Sequence, residues 1–308
     1  MKKIKFLNNK EINRIQWDKC VLNSINSKVY ALSWYLDIVS DEWNGLVYGD
    51  YELVFPIVIK KKLFFNNIIH PLFCQQLGPF SPSPLLLNPG TFFDIIFFLD
   101  NKFKKFEFSI NHDCSKFFKK QIQDSYPHIK CIDRVNLELD LIKDYESIFD
   151  NYTTNAKRHL KKNQDSNFSI REMHDLDNFM NIFRKYVGIK ANLKSHHYSI
   201  IIDLISKCLE KDVGYLSALY NRREEVLAMN FIVKCGTLKM PKSRDILLFN
   251  ASSKLIQSNA MTILVDHYIQ QECLKNKVLD FEGSNISGVK RFYKSFGAIE
   301  RNYLHIKK

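Results

Sequence analysis

The chain has 308 residues, long enough for two domains of ordinary size, and its 45% hydrophobic and 25% charged residues exclude a disordered or fibrous protein. The net charge of +12 is uneven: residues 1–150 carry 19 Lys/Arg against 18 Asp/Glu, and residues 151–308 carry 26 against 15. Seven scattered cysteines, none in C-x-x-C, lack the ligand spacing of structural zinc or iron–sulfur sites and fit a reducing compartment, so no metal is expected.

The N-terminus is basic but has no apolar run of signal-peptide length. The densest apolar window, Phe92 to Leu99, falls well short of the roughly 20 residues that span a bilayer. A cytoplasmic protein is the expectation. Lys28 to Val39 reads as a helix, then Gly45 to Tyr48 as a strand, Gly49-Asp50 as a turn and Glu52 to Lys60 as the return strand. Phe92 to Leu99 reads as a core helix, with an interfacial membrane helix as the alternative. Val135 to Asp140 alternates as a strand and gives way to a helical pattern at Tyr145, Ile148, Phe149 and Tyr152. A domain boundary is placed there, giving domains 1–145 and 146–308.

In the second half, Lys157, Arg158, Lys161 and Lys162 form one basic helix edge. That edge suits the phosphates of tRNA, a nucleotide or a lipid headgroup at a membrane surface, or else it is a solvated face. No aromatics interleave with it, so sequence-specific DNA binding is not expected. The helix Tyr198 to Leu209, the strand Tyr215 to Tyr220, a polar turn and the strand Glu225 to Lys234 repeat the order seen in the first half. Duplication of one α/β unit accounts for this, and chance is the alternative. Asn230 interrupts an apolar strand and needs partners, either neighbouring backbone or a cleft. After the strand Asp245 to Phe249, Ser258 or Asn259 is placed to cap a helix through Ile263, Leu264, His267 and Tyr268, whose start can also hold an anion.

The stretch Val278 to Glu282 reads as a buried strand, Gly283-Ser284 as a turn, and Ser287 as the cap of a helix with Val289, Phe292, Tyr293 and Phe296, stopped by Gly297. Asp280 and Glu282, two apart on a strand, leave the same face. In a cleft, Glu282 is the candidate general base; the alternative is that both acids anchor loops or pair with Lys290 and Arg291. Tyr293 is either a proton donor to the leaving group or a core residue. Lys290, Arg291 and Lys294 are candidates for holding anionic groups.

Asp280-Phe281-Glu282-Gly283-Ser284 followed by Phe292 to Ala298 (F-Y-K-S-F-G-A) resembles the C-terminal signature of the FemAB-like branch of the GNAT acyltransferases. Phe73 to Ser81 is similar to that family's T-Q-Q-L-G-x-F segment, and Thr154 to Lys162 to the basic helix opening its second domain. The resemblance spans most of residues 28–300. It implies an α/β fold of mixed sheets in two tandem GNAT-like domains, and N-acyl transfer from acetyl-CoA or acyl-CoA to a small-molecule or cell-wall amine. Glu282 and Tyr293 would be catalytic, with Asn230, Ser258, Asn259 and the three cations binding substrates. Aminoacyl transfer from charged tRNA to a cell-wall precursor or other amine is the second reading, and a non-catalytic GNAT-fold binding module the third. Three departures bear on these. The glycines of the Q/R-x-x-G-x-G/A cofactor loop are missing after Phe249. Lys294 comes one place late for the Fem-type lysine, about 100° around the helix. Phe179 to Asp212 has room for two modest helices rather than a long helical arm.

Overall fold

The computed structural model describes residues 4–62, 65–115, 118–162, 167–236, 242–253, 259–283 and 286–308. The chain divides into two units, one built mainly from Met1–Val135 and Arg301–Lys308, the other from Asn136–Cys235 and Lys242–Glu300. The division falls inside a strand rather than at Tyr145, and the last strand returns to the first unit. Its partner there explains why: Leu304 to Lys307 pair antiparallel with Ile110 to Glu107.

The first unit runs β1 (Ile4–Leu7), α1 (Arg14–Asn23), α2 (Ser33–Val39), β2 (Trp43–Tyr48), β3 (Leu53–Lys62) and β4 (Phe65–Ile68). It continues with α3 (Pro89–Lys102), β5 (Glu107–Ile110), α4 (His112–Ser115), α5 (Lys119–Ser125) and the start of β6 (Lys130–Asp140). β1 to β4 form an antiparallel sheet in chain order. The helix expected over Lys28 to Val39 is split into a 3-10 turn, Val29–Ala31, and α2. Leu32 is extended at the break, and Asp18 accepts both the Ser33 N–H and Oγ–H at 2.7 Å, so a side chain from α1 starts α2 anew. Phe92, Ile95, Ile96 and Leu99 of α3 are buried with Phe55, Phe108 and Phe118, which is the core placement expected of that apolar window.

The second unit holds α6 (Tyr145–Asp150), α7 (Thr154–Lys162), β7 (Ser169–Glu172), α8 (Leu176–Phe183), α9 (Ser195–Glu210), β8 (Gly214–Tyr220) and β9 (Val226–Cys235). There follow β10 (Ser243–Ser252), α10 (Ala260–Glu272), β11 (Lys277–Asp280), α11 (Ser287–Lys294) and the start of β12 (Ile299–Lys307). Its sheet runs β6-β11-β10-β9-β8-β7. The pair β10–β11 is parallel and its neighbours antiparallel, so the sheet is mixed. A parallel pair needs a crossover, and α10 supplies it. The α10 face of the sheet buries Leu219 and Ala228 against Ala260 and Leu264, while Phe249 packs on Phe183 of α8 from the opposite face. Covered on both sides, β9 is apolar at nearly every position.

Two strand ends differ from the sequence expectation. β11 stops at Asp280 instead of Glu282, because Glu282 and Gly283 both take positive φ, 59° and 68°. β10 continues past Phe249 to Ser252, held by β9 through Asn250↔Asn230 and Ser252↔Ala228. α11 begins with Ser287 as its first residue, after an Ile286 cap that makes no side-chain bond, so Ser287 is not the cap. Gly297 does end this region with φ 80°, where a Cβ would meet Asn151 at 2.9 Å.

Candidate active site

The parallel pairing of β10 and β11 covers only Ser243↔Lys277 to Ile246↔Asp280, while β10 continues to Ser252. Beyond Ile246, no strand among the described residues pairs with that edge of β10. The opposite edge stays on β9 but slips register between Leu247 and Phe249, a bulge that leaves Leu248 as the extra residue. The root of this fork is pinned by charge. Arg244 on β10 contacts Asp280 at 2.5 Å and Glu138 of β6 at 2.8 Å, all three largely buried. The other Asp280 oxygen accepts the Glu282 N–H at 2.9 Å, which turns the chain out of the sheet. Asp280 is thus committed to structure, and Glu282 no longer shares its face as strand alternation implied.

Tyr293 closes the fork. Its ring stacks on Phe281 at 4.7 Å, and its hydroxyl accepts a 2.9 Å hydrogen bond from Nδ2 of Asn250, on β10 beyond its described pairing with β11. Burial first, then the nearby Glu282 carboxylate, push the phenol up to about 12, against the Asn250 hydrogen bond that lowers it. At neutral pH Tyr293 is therefore protonated, with its oxygen accepting from Asn250 and no acceptor for its O–H among the described residues. Asn230, opposite Asn250, accepts from the Ser217 hydroxyl at 2.6 Å, and its buried Nδ2 has no partner among the described residues.

Beside the fork lies a cleft of about 520 Å³ between the ends of β10 and α7, the start of α10 and one face of α11. Helical spacing sorts the side chains of α11. Gly288, Arg291, Phe292 and Ser295 line the cleft, Tyr293 points into the core, and Lys290 and Lys294 both pair with Glu300 at 2.8 and 3.0 Å. Of the three cations named from sequence, only Arg291 reaches the cleft. Arg291 makes no ion pair among the described residues. Asn259 also lines the cleft at the N-cap position of α10, where its side chain makes no capping hydrogen bond, and His159 and Thr262 line the same cleft. Ser258 lies outside the described residues.

A second groove, of about 890 Å³, runs along the other side of α7. Lys157, Arg158 and Lys161 border it, and at its floor Asp266 accepts from Tyr145, Tyr152 and Gln270 at 2.8–3.2 Å. No carboxylate pairs with the cations of α7 among the described residues. Among those residues there is also no group of three or more His, Cys, Asp or Glu placed to hold a metal, and no helix long and apolar enough to cross a membrane.

Asn250 and Arg244 were not singled out in the sequence, because both read as ordinary polar residues at the margins of a short strand. The available signal for Asn250 was Asn230: two amides on successive apolar strands of a hairpin lie opposite each other once the register is known.

No family model and no curated protein matches the sequence. Solved structures do match the fold. FemX is 11% identical, with 97% of this chain covering 96% of that one at a TM-score of 0.68. The C-terminal domain (DUF2156) of a putative lysylphosphatidylglycerol synthetase from Agrobacterium fabrum is 9% identical over 97% and 92% of the two chains, with a TM-score of 0.56. L-PGS from Bacillus licheniformis is 12% identical over 89% and 86%, at 0.52. The chain thus shares the α/β, mixed-sheet fold of FemX.

Proposed function

We propose that this protein, with the fold of FemX, is an acyltransferase of two tandem GNAT-like domains that moves an acyl group onto an amine at the fork between β10 and β11. The observation that carries the reading is the Tyr293 hydroxyl, held by Asn250 on β10 beyond its described pairing with β11. Transfer to an amine requires a base, donors for the oxyanion and a proton for the leaving group. The ammonium releases one proton to solvent on binding, and Glu282, next to Tyr293, takes the second as the C–N bond forms. The neutral amine attacks the acyl carbon, whose oxygen is received by backbone N–H groups of β10 near Leu248. As the bond to the leaving thiolate or alkoxide breaks, Tyr293 protonates it.

The donor's phosphates fit the adjoining cleft, where Arg291, the Asn259 side chain and the uncapped start of α10 offer positive potential. Acetyl-CoA or acyl-CoA is the first donor to consider. Aminoacyl-tRNA is the second, favoured by the unneutralised cations of α7 bordering the neighbouring groove. The acceptor is a small-molecule or cell-wall amine.

Thermal unfolding at low salt with millimolar CoA or acetyl-CoA tests the donor assignment. Saturation at about 100 times Kd adds roughly 2.7 kcal/mol of stability. A rise in midpoint for the wild type that is reduced in Arg291→Ala supports CoA. A rise with charged tRNA alone selects aminoacyl transfer. No response to either, together with no turnover, leaves a GNAT-fold binding module and overturns the enzyme reading.

A further inference from the structure

We propose that Asn250 is a positioning residue that aims the Tyr293 proton at the leaving group and then holds the tyrosinate. The inference rests on the reading of Tyr293 as proton donor. Nδ2 of Asn250 is a donor only, so the 2.9 Å contact makes Tyr293 Oη the acceptor. The phenolic hydrogen is therefore turned away from Asn250. Two constraints keep this arrangement in place. Stacking on Phe281 at 4.7 Å fixes the ring, and the register Asn250↔Asn230 fixes the amide on the part of β10 beyond its described pairing with β11.

The proton balance then closes without another group. The amine nitrogen forms its bond to the acyl carbon and gives one proton to Glu282. The C–S or C–O bond breaks, and its electron pair takes the Tyr293 proton. The phenolate left behind accepts the same Asn250 N–H, now a charge-assisted hydrogen bond and stronger than before. Solvent returns a proton to Tyr293 and removes one from Glu282 when products leave. Asn250→Asp is a near-isosteric substitution that reverses this polarity: a carboxylate accepts, so the Tyr293 hydrogen turns toward it and away from the leaving group.

The test measures acetyl transfer to hydroxylamine from acetyl-CoA and from p-nitrophenyl acetate, whose leaving group departs unprotonated at neutral pH. Spontaneous reaction is subtracted. With acetyl-CoA, Asn250→Ala loses about tenfold or more and Asn250→Asp at least as much, within the range of a lost general acid. With the nitrophenyl ester both variants stay within about threefold of wild type, because no proton is needed. In a Tyr293→Phe background Asn250→Ala has no further effect, as a residue acting only through Tyr293 requires. Equal losses on both donors, or additive losses with Tyr293→Phe, overturn the positioning role while leaving Tyr293 as the acid. Tyr293→Phe without effect on acetyl-CoA, or no transfer by the wild type from either donor, overturns the proton-donor reading and this proposal with it.

Discussion

The Arg244 guanidinium meets the Asp280 carboxylate at 2.5 Å at the last paired position of β10 and β11, with the Asp280 side chain only 2% exposed. The contact sits where the two strands part, so it both stabilises the sheet and fixes where the fork opens. The paired carboxylates raise the proton affinity of Arg244 against the opposing effect of its burial.

Removing one member of such a pair leaves a buried charge uncompensated. Asp280→Asn is expected to cost roughly 3 kcal/mol, the lower end for a broken buried pair, because Glu138 still contacts Arg244 at 2.8 Å. Urea unfolding measures it. A loss below about 1 kcal/mol would show the pair to be worth no more than an exposed one.

Glu282 combines a strained backbone with the proposed base. With φ at 59°, replacement by glycine relieves the left-handed conformation, and Glu282→Gly is expected to hold or raise stability by about 1 kcal/mol. The same change removes the carboxylate and is expected to lower acyl transfer by about 100-fold or more. Glu282→Gln tests the chemistry with the side-chain size kept. A loss of less than about tenfold there, equivalent to 1.4 kcal/mol, would reject Glu282 as the base.

The three cations of α11 separate by face. Arg291→Ala is expected to weaken donor binding by about tenfold, in the range of a charge-assisted hydrogen bond. Lys290→Ala and Lys294→Ala, whose side chains rest on Glu300, should change it by less than about twofold. Isothermal titration with the donor identified above distinguishes them, and equal effects at all three positions would refute the division of faces.

In the first unit, pH dependence follows from His70. Burial, with His305 adding repulsion, lowers its pKa from 6.5 to about 4. Its Nδ1 accepts the Ser109 N–H, and His305 bridges Ser109 and Glu107 at 3.0 Å on each side. The unfolded chain therefore binds the proton first as pH falls. The contribution is complete above about pH 6.5, declines through the window down to about 4, and amounts to at most roughly 3 kcal/mol. His305, also lowered by burial, acts in the same direction. Stability measured against pH should show a smaller slope in that window for His70→Gln, which keeps an acceptor for Ser109 but does not titrate. An unchanged slope would assign the dependence elsewhere.

Periodicity and turn residues were enough to read most elements of the second unit from the sequence. The apolar run of β9, the hairpin after Tyr220, the helix through Leu264 and Tyr268, and the aromatic spacing of α11 are local patterns, and each formed. The proposed pair Glu282 and Tyr293 was singled out from its place in a glycine turn and a short helix. Three things were not legible, because each depends on which strands become neighbours. The parallel pairing that ends at Ile246 depends on the crossover of α10. The commitment of Asp280 to Arg244 depends on contact across 36 positions of sequence. Asn250 meets Tyr293 only when β10 outruns β11 and α11 folds across the gap. Local sequence thus determined the elements and the residue types available for chemistry. Tertiary structure decided which carboxylate holds the sheet and which amide holds the tyrosine, since those roles arise from long-range register and burial.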